Sequence, residues 1–321
     1  MRYSDLAISL DMVNRHYQEP NRNRYESRYY WEELYELIAA AGFHAIEIPF
    51  EPVWNFGGRS GVPFTQYTIE AKYGNVDNYR SFLRERGIER VAGVYFNPGF
   101  FMRNDSLDFY FGAAGHFAGL ALEHAVSLGA SYFNLSITPA YGLVKNYHPD
   151  MDNLVPGFID RTLELVHKLA DRAKDASINL SLRNEYWSLM RGEAIEQVAD
   201  RLPVGALIDI DTANLHLSGI DLPGFIARNA ARIGSVHLTD TAFEDTDETW
   251  TTPNPEFPAS RATQVFRDIG QGSVDLPGSL RALADIDYAG EITVSCRQTR
   301  DPMRALLRAR SWLHKQGSAL H

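Results

Sequence analysis

The sequence predicts one closed (β/α)8 barrel. Eight short apolar, β-branched runs alternate with eight longer segments patterned at three- and four-residue spacing, as expected of βα units that feed a parallel sheet. Several helical segments stop at a glycine just before the next strand, as in AAAGFHAIEI, RERGIERVAGV and SLGASYFNL, the left-handed helix stop of a βα repeat. The competing doubly wound sheet lacks its phosphate loop, because no GxGxxG follows the first strand and no GxxxxGK[ST] occurs anywhere.

In chain order, the expected strands are 6–10, 44–50, 90–96, 132–137, 178–184, 205–211, 233–240 and 291–296. The expected helices are YYWEELYELIAAAG, VDNYRSFLRERG, FYFGAAGHFAGLALEHAVSLGA, FIDRTLELVHKLADRAKDA, GEAIEQVADRL, DLPGFIARNAARI, DLPGSLRALADID and DPMRALLRARSWLHKQ. With no strand left over, residues 1–321 read as a single barrel domain. Three connections are long, about 11–28, 50–75 and 241–272. All follow strands, which puts them on the C-terminal rim where barrel enzymes carry their chemistry.

Composition narrows the partners. The 321 residues are 45% hydrophobic and 22% charged, enough to bury a full core. Lys and Arg total 31 against 41 Asp and Glu, a net charge of −10, which argues against a nucleic-acid partner. The lone Cys296 permits neither an intramolecular disulfide nor a zinc site built on several cysteines, consistent with a reducing cytoplasm. The N-terminal segment MRYSDLAISLDMVNRHYQ does not read as a signal peptide, and no stretch reaches the ~18 apolar residues of a membrane span.

Side chains two apart at a strand's C-terminal end point the same way. That pairs Arg183 with Glu185 at the fifth strand and Asp209 with Asp211 at the sixth, followed by Asn214 and His216. The seventh offers His237 and Asp240, and the eighth Ser295 and Arg297. Glu185, Asp211 and His237 form an oxygen-and-imidazole set suited to a divalent ion, Mn or Mg before Co or Zn. The plainer alternatives are that Asp211 caps a turn, that His237 is a hydrogen-bonded barrel histidine and that Glu185 pairs with an arginine. Trp54, Tyr95 and Trp187 supply flat surfaces for a sugar or aglycone, with Asn214 and Asp240 as polar contacts.

GFHAIEIPFE, IDIDTANLHLSG, IGSVHLTD and IGQGSVDLPGSLRALADIDYAGEITV together resemble the xylose-isomerase-like TIM barrel family of sugar isomerases, epimerases and dehydratases. The resemblance implies one divalent ion held by a Glu, an Asp, a His and a second Glu on strands 5 to 8. Asp211 and His237 match. The first Glu falls on Arg183 and the second on Ser295, and these two glutamates usually move the proton. Either the ion shifts toward Glu185 or it is absent, since a guanidinium cannot ligate a metal; Arg183 and Arg297 would then stabilise an oxyanion.

The expected chemistry is proton abstraction next to a carbonyl, with Glu185, His237, Arg183 and Arg297 as catalytic residues. With no carboxylate evident near Ser295, the sequence favours a lyase that eliminates the aglycone from a keto-glycoside, as the related glycoside deglycosidases do. The alternatives are a metal-dependent isomerase or epimerase, and a non-catalytic sugar-binding barrel. The resemblance also implies a small-molecule sugar or glycoside as partner, and either a homo-oligomer or a small companion subunit on the rim loops.

Overall fold

The computed structural model describes residues 5–13, 24–52, 62–136, 138–192, 194–256, 264–297 and 299–317. Its centre is a closed barrel of eight parallel strands: β1 (Ala7–Ser9), β2 (Ala45–Pro49), β3 (Arg90–Phe96), β4 (Tyr132–Ser136), β5 (Asn179–Arg183), β6 (Ala206–Asp211), β7 (Ile233–Leu238) and β10 (Glu291–Val294). Each strand pairs with its neighbour in sequence, and β10 closes the ring between β7 and β1. In that order β1 and β5 stand opposite each other across the barrel. A two-stranded antiparallel ribbon, β8 (Asp240–Thr241) and β9 (Phe266–Arg267), sits in the β7–β10 connection.

The helices expected from periodicity are α1 (Arg28–Ala40), α3 (Val76–Glu85), α4 (Leu107–Leu128), α6 (Met151–Asp175), α7 (Ala194–Ala199), α9 (Leu222–Arg228), α10 (Leu276–Asp285) and α11 (Pro302–Lys315). Three more lie in segments expected to be loops: α2 (Gln66–Tyr73), α5 (Tyr141–Tyr147) and α8 (Thr212–Leu217). Helix α6 begins seven residues before the expected FIDRTL start, with Pro156 in its second turn. A proline there has no N–H to give the Asp152 carbonyl one turn back, so the helix forgoes that bond. No helix among the described residues is long and apolar enough to cross a membrane.

The main apolar core lies largely between the barrel and its helices, as Ile8, Ile46, Ile48, Val94, Leu180, Ile208, Val236 and Ile292 pack outward. The barrel interior is different. Ala7, Ala45, Ala92 and Tyr132 form a small floor, and a Cβ on Gly93 would lie inside the Tyr132 ring. Above that floor the interior is polar.

Candidate active site

Two layers of ionisable side chains fill the upper barrel. The inner layer is centred on His237, which β7 holds in register with Asp211 of β6 and Thr293 of β10. Its Nδ1 meets Asp209 Oδ1 at 2.7 Å and its Nε2 meets Glu47 Oε2 at 2.8 Å. Glu47 also accepts from Ser9 Oγ at 2.6 Å and from the Tyr132 hydroxyl at 2.9 Å. Asp209 accepts from Ser235 Oγ at 2.6 Å and from Arg183 Nε at 3.0 Å. Arg183, itself fully buried, also lies 3.9 Å from Asp211 Oδ2, with its guanidinium carbon 4.5 Å from the centre of the Tyr95 ring.

These contacts set the charges. Burial pushes the His237 pKa down, as does the Arg183 charge, but Asp209 and Glu47 outweigh both and bring it to about 9. Burial alone would raise Glu47, yet His237 and Arg183 hold it at about 2. Burial also opposes the charge on Asp209, and the same two cations keep it well below the usual carboxylate range. The layer is therefore an imidazolium and a guanidinium paired with carboxylates, the arrangement that makes buried charge tolerable.

The outer layer is built from more distant strands. Arg297, just past β10, lies with Nε 3.1 Å from Glu256 Oε1 and Nη2 3.5 Å from Glu185 Oε1. Glu185 Oε1 accepts from the Tyr95 hydroxyl at 2.7 Å. Burial raises the Tyr95 pKa well above its ordinary value, with the Glu185 charge adding to it, so Tyr95 stays a phenol donor. Trp187 and Phe266 flank the Arg297 guanidinium, their ring centres 5.5 and 4.7 Å from its carbon.

Asp11, in the 3-10 turn Leu10–Met12 at the end of β1, accepts from Ser295 Oγ at 2.6 Å. The sequence reading found no carboxylate near Ser295; Asp11 is that carboxylate, delivered by β1, the neighbour of β10. Burial raises its pKa against the lowering influence of Arg297 and Ser295. Its Oδ1 is buried and has no hydrogen-bond partner among the described residues, and the same holds for Arg297 Nη1 and Arg183 Nη2.

The structure thus sorts the residues singled out in sequence. Glu185, Tyr95, Trp187 and Arg297 meet at the mouth. His237 and Arg183 lie beneath in ion pairs. Asp211 caps α8, its Oδ1 accepting from Asn214 N at 3.1 Å and from the Thr239 hydroxyl. Asn214 accepts from Tyr186 N at 3.0 Å and so pins the tip of β5. Asp240, expected to touch substrate, instead accepts from Gly270 N and Gly272 N at 2.9 Å each through Oδ2. That gives IGQGSVD its structural role: a Cβ on Gly272 would fall on the Asp240 carboxylate. Trp54 lies outside the described residues.

The expected ligands Glu185, Asp211 and His237 do not assemble as a metal set. Both imidazole nitrogens face carboxylates, Glu185 belongs to the upper layer, and a guanidinium flanks Asp211. A divalent ion beside Arg183 would meet a repulsion of several kcal/mol. Among the described residues no group of three or more His, Cys, Asp or Glu side chains is arranged to hold an ion.

Asp11, Glu47 and Glu256 were missed in sequence. Glu47 did carry a signal, as the one charge inside the apolar run AIEIP.

The chain belongs to the xylose isomerase-like TIM barrel family, whose family model matches residues 35–316; it is a family of enzymes. No curated protein matches the sequence. Among solved structures, the fold is similar to D-psicose 3-epimerase from Clostridium cellulolyticum H10, crystallised with D-tagatose. The identity is 13%, 99% of each chain is covered and the TM-score is 0.66. It is also similar to 3-keto-D-glucoside 4-epimerase from E. coli, at 14% identity over 97% of this chain and 99% of that one, with a TM-score of 0.63. The IOLI protein, crystallised with a zinc atom, is 15% identical over 99% of each chain, with a TM-score of 0.67.

Proposed function

We propose that this protein is a sugar-modifying enzyme that moves a proton at the carbon next to a carbonyl, using Glu185 and Asp11 as two carboxyl groups on opposite sides of the mouth. The observation that carries the reading is the 2.6 Å contact between Ser295 and Asp11, with Asp11 opposite β5 in the barrel order. A second carboxyl removes the sequence argument for elimination and favours an epimerase or isomerase of a ketose or keto-glycoside. Epimerases of a free ketose and of a 3-keto-glucoside are among the similar folds, which supports this choice.

In the proposed reaction Glu185 takes the proton from one face of the carbon. The developing oxyanion is met by Arg297, whose Nη1 has no hydrogen-bond partner among the described residues, while the Tyr95 hydroxyl donates to Glu185 and orients it. Asp11, its carboxyl kept toward the neutral form by burial, returns a proton from the other face, which inverts the centre. Trp187 lies against the guanidinium and offers an apolar surface to the sugar's CH groups.

The test is to incubate the protein in deuterated water with free ketohexoses and with 3-keto-glycosides. Sugars and released aglycone are followed by chromatography, and deuterium next to the carbonyl by mass. Epimer or isomer carrying one deuterium supports the reading. Aglycone release without epimerisation would instead restore elimination, with Asp11 as the acid on the leaving group.

A further inference from the structure

We infer that Arg183 is a built-in cation standing where a divalent ion would have to bind, so that the tips of β5, β6 and β7 take no divalent metal. The donor atoms of this layer already point at other partners. Glu47 accepts from Ser9 at Oε1 and faces Tyr132 and His237 at Oε2. Asp209 accepts from Ser235 and faces His237 at Oδ1, and accepts from Arg183 at Oδ2. Asp211 Oδ1 accepts from Asn214 N in the first turn of α8 and from the Thr239 hydroxyl. Of these carboxylate oxygens only Asp211 Oδ2 lacks a hydrogen-bond partner among the described residues, and it faces Arg183 Nε at 3.9 Å.

An entering ion would therefore find one oxygen and no nitrogen ready, whereas zinc-type protein sites supply three or four donors at about 2.0–2.2 Å and Mg demands near-ideal octahedral oxygen geometry. To gain His237 it would have to break the bond to Glu47 or to Asp209. To gain Asp209 it would have to expel the guanidinium from the carboxylate that hydrogen-bonds it. Arg183 Nη2 is an N–H donor buried with no hydrogen-bond partner among the described residues. A donor suits a carbonyl or enolate oxygen and repels a cation. The protein's own charge thus occupies the place of a Lewis acid.

Metal binding tests this without any substrate, so its outcome is separate from that of the proposed reaction. Protein purified without chelator is desalted and its metal content measured, and melting is followed with added Mn, Mg, Co or Zn. The expected result is far less than one equivalent of any ion and an unchanged Tm. Retention of about one equivalent, or an ion-dependent rise in Tm that Asp211→Asn abolishes, would overturn the inference. Arg183→Glu provides the complementary arm, because it removes the cation and adds a donor beside Asp209 and Asp211. This variant should acquire a Tm that rises with Mn or Zn, and a folded Arg183→Glu protein indifferent to every ion would refute the exclusion role of the guanidinium. Should Arg183→Glu not fold, the wild-type metal content and melting decide alone.

Discussion

Both nitrogens of His237 face a carboxylate at 2.7 or 2.8 Å, while one layer higher Arg297 serves Glu185 and Glu256 and still leaves Nη1 unpartnered among the described residues. The lower network is closed around His237, whose two nitrogens each face a carboxylate, while Arg183 Nη2 and Asp211 Oδ2 stay unmatched at its edge; breaking such a set leaves charge stranded in low dielectric. The upper one is open, with Asp11 Oδ1 and Arg297 Nη1 buried and unmatched. Polar atoms left this way are costly to a fold unless something else uses them. The comparison assigns stability to the lower layer and chemistry to the upper.

The largest effect that can break this division is on turnover. Glu185→Gln and Asp11→Asn should each lower the rate of proton exchange by roughly 10²- to 10⁴-fold, the usual contribution of a positioned acid or base. Both keep shape and should leave Tm within a few degrees. If either variant turns over like wild type, that carboxyl leaves the mechanism.

Next comes the closed layer, where Arg183→Met should cost about 3–5 kcal/mol of stability by stranding Asp209 and Asp211. Urea unfolding would read this as a lower midpoint. A change under about 1 kcal/mol would mean that the network does not carry stability as argued.

The pH profile sharpens the same contrast. His237 is raised to about 9 in the fold, so its contribution is complete below the unfolded value near 6.5 and is lost as pH rises toward 9. Glu47 is lowered to about 2, so its contribution is present above about 4.5 and disappears as pH falls toward 2. His124, buried against Phe50 with no hydrogen-bond partner among the described residues, is held down at about 3 by burial. The unfolded chain therefore takes up its proton first, and stability falls between about 6.5 and 3. Melting temperature against pH should peak near 6, and His124→Phe should flatten the acid limb.

The smallest effect belongs to the loop anchor. Asp240→Ala removes the carboxylate that accepts from two backbone amides and should cost about 1–3 kcal/mol locally. It should speed proteolysis of the β7–β10 connection and raise KM more than it lowers kcat.

The barrel was legible in sequence because its period is long and repeated: β3 falls on RVAGVYF as expected, and each other barrel strand lies within its expected run, while the ribbon β8–β9 was not expected. What escaped was short. TANLHL makes less than two turns, too few for apolar spacing to register, and α8 forms because Asp211 caps it where β6 ends. The candidate site was half visible for a similar reason. Glu185 and Arg297 sit on strand tips, where alternation marks them. Asp11 stands in a 3-10 turn, where alternation no longer applies. Glu256 reaches Arg297 from forty-one residues away in sequence, through a loop whose path no periodicity encodes. His237 was found but its partners were not, because Glu47 is one hundred and ninety residues distant.

Asp240 ties Gly270 and Gly272 back to the end of β7, and β8 pairs with β9 just beyond. The excursion from 242 to 265 therefore leaves and re-enters the barrel through one stapled neck. Beyond the neck its first part rests on the barrel's flank, with Trp250 against Tyr141 and Arg191. Glu256, the residue it brings to Arg297, is thus carried on a segment outside the strand repeat. Exchanging residues around Glu256 is a direct way to retune what the mouth accepts.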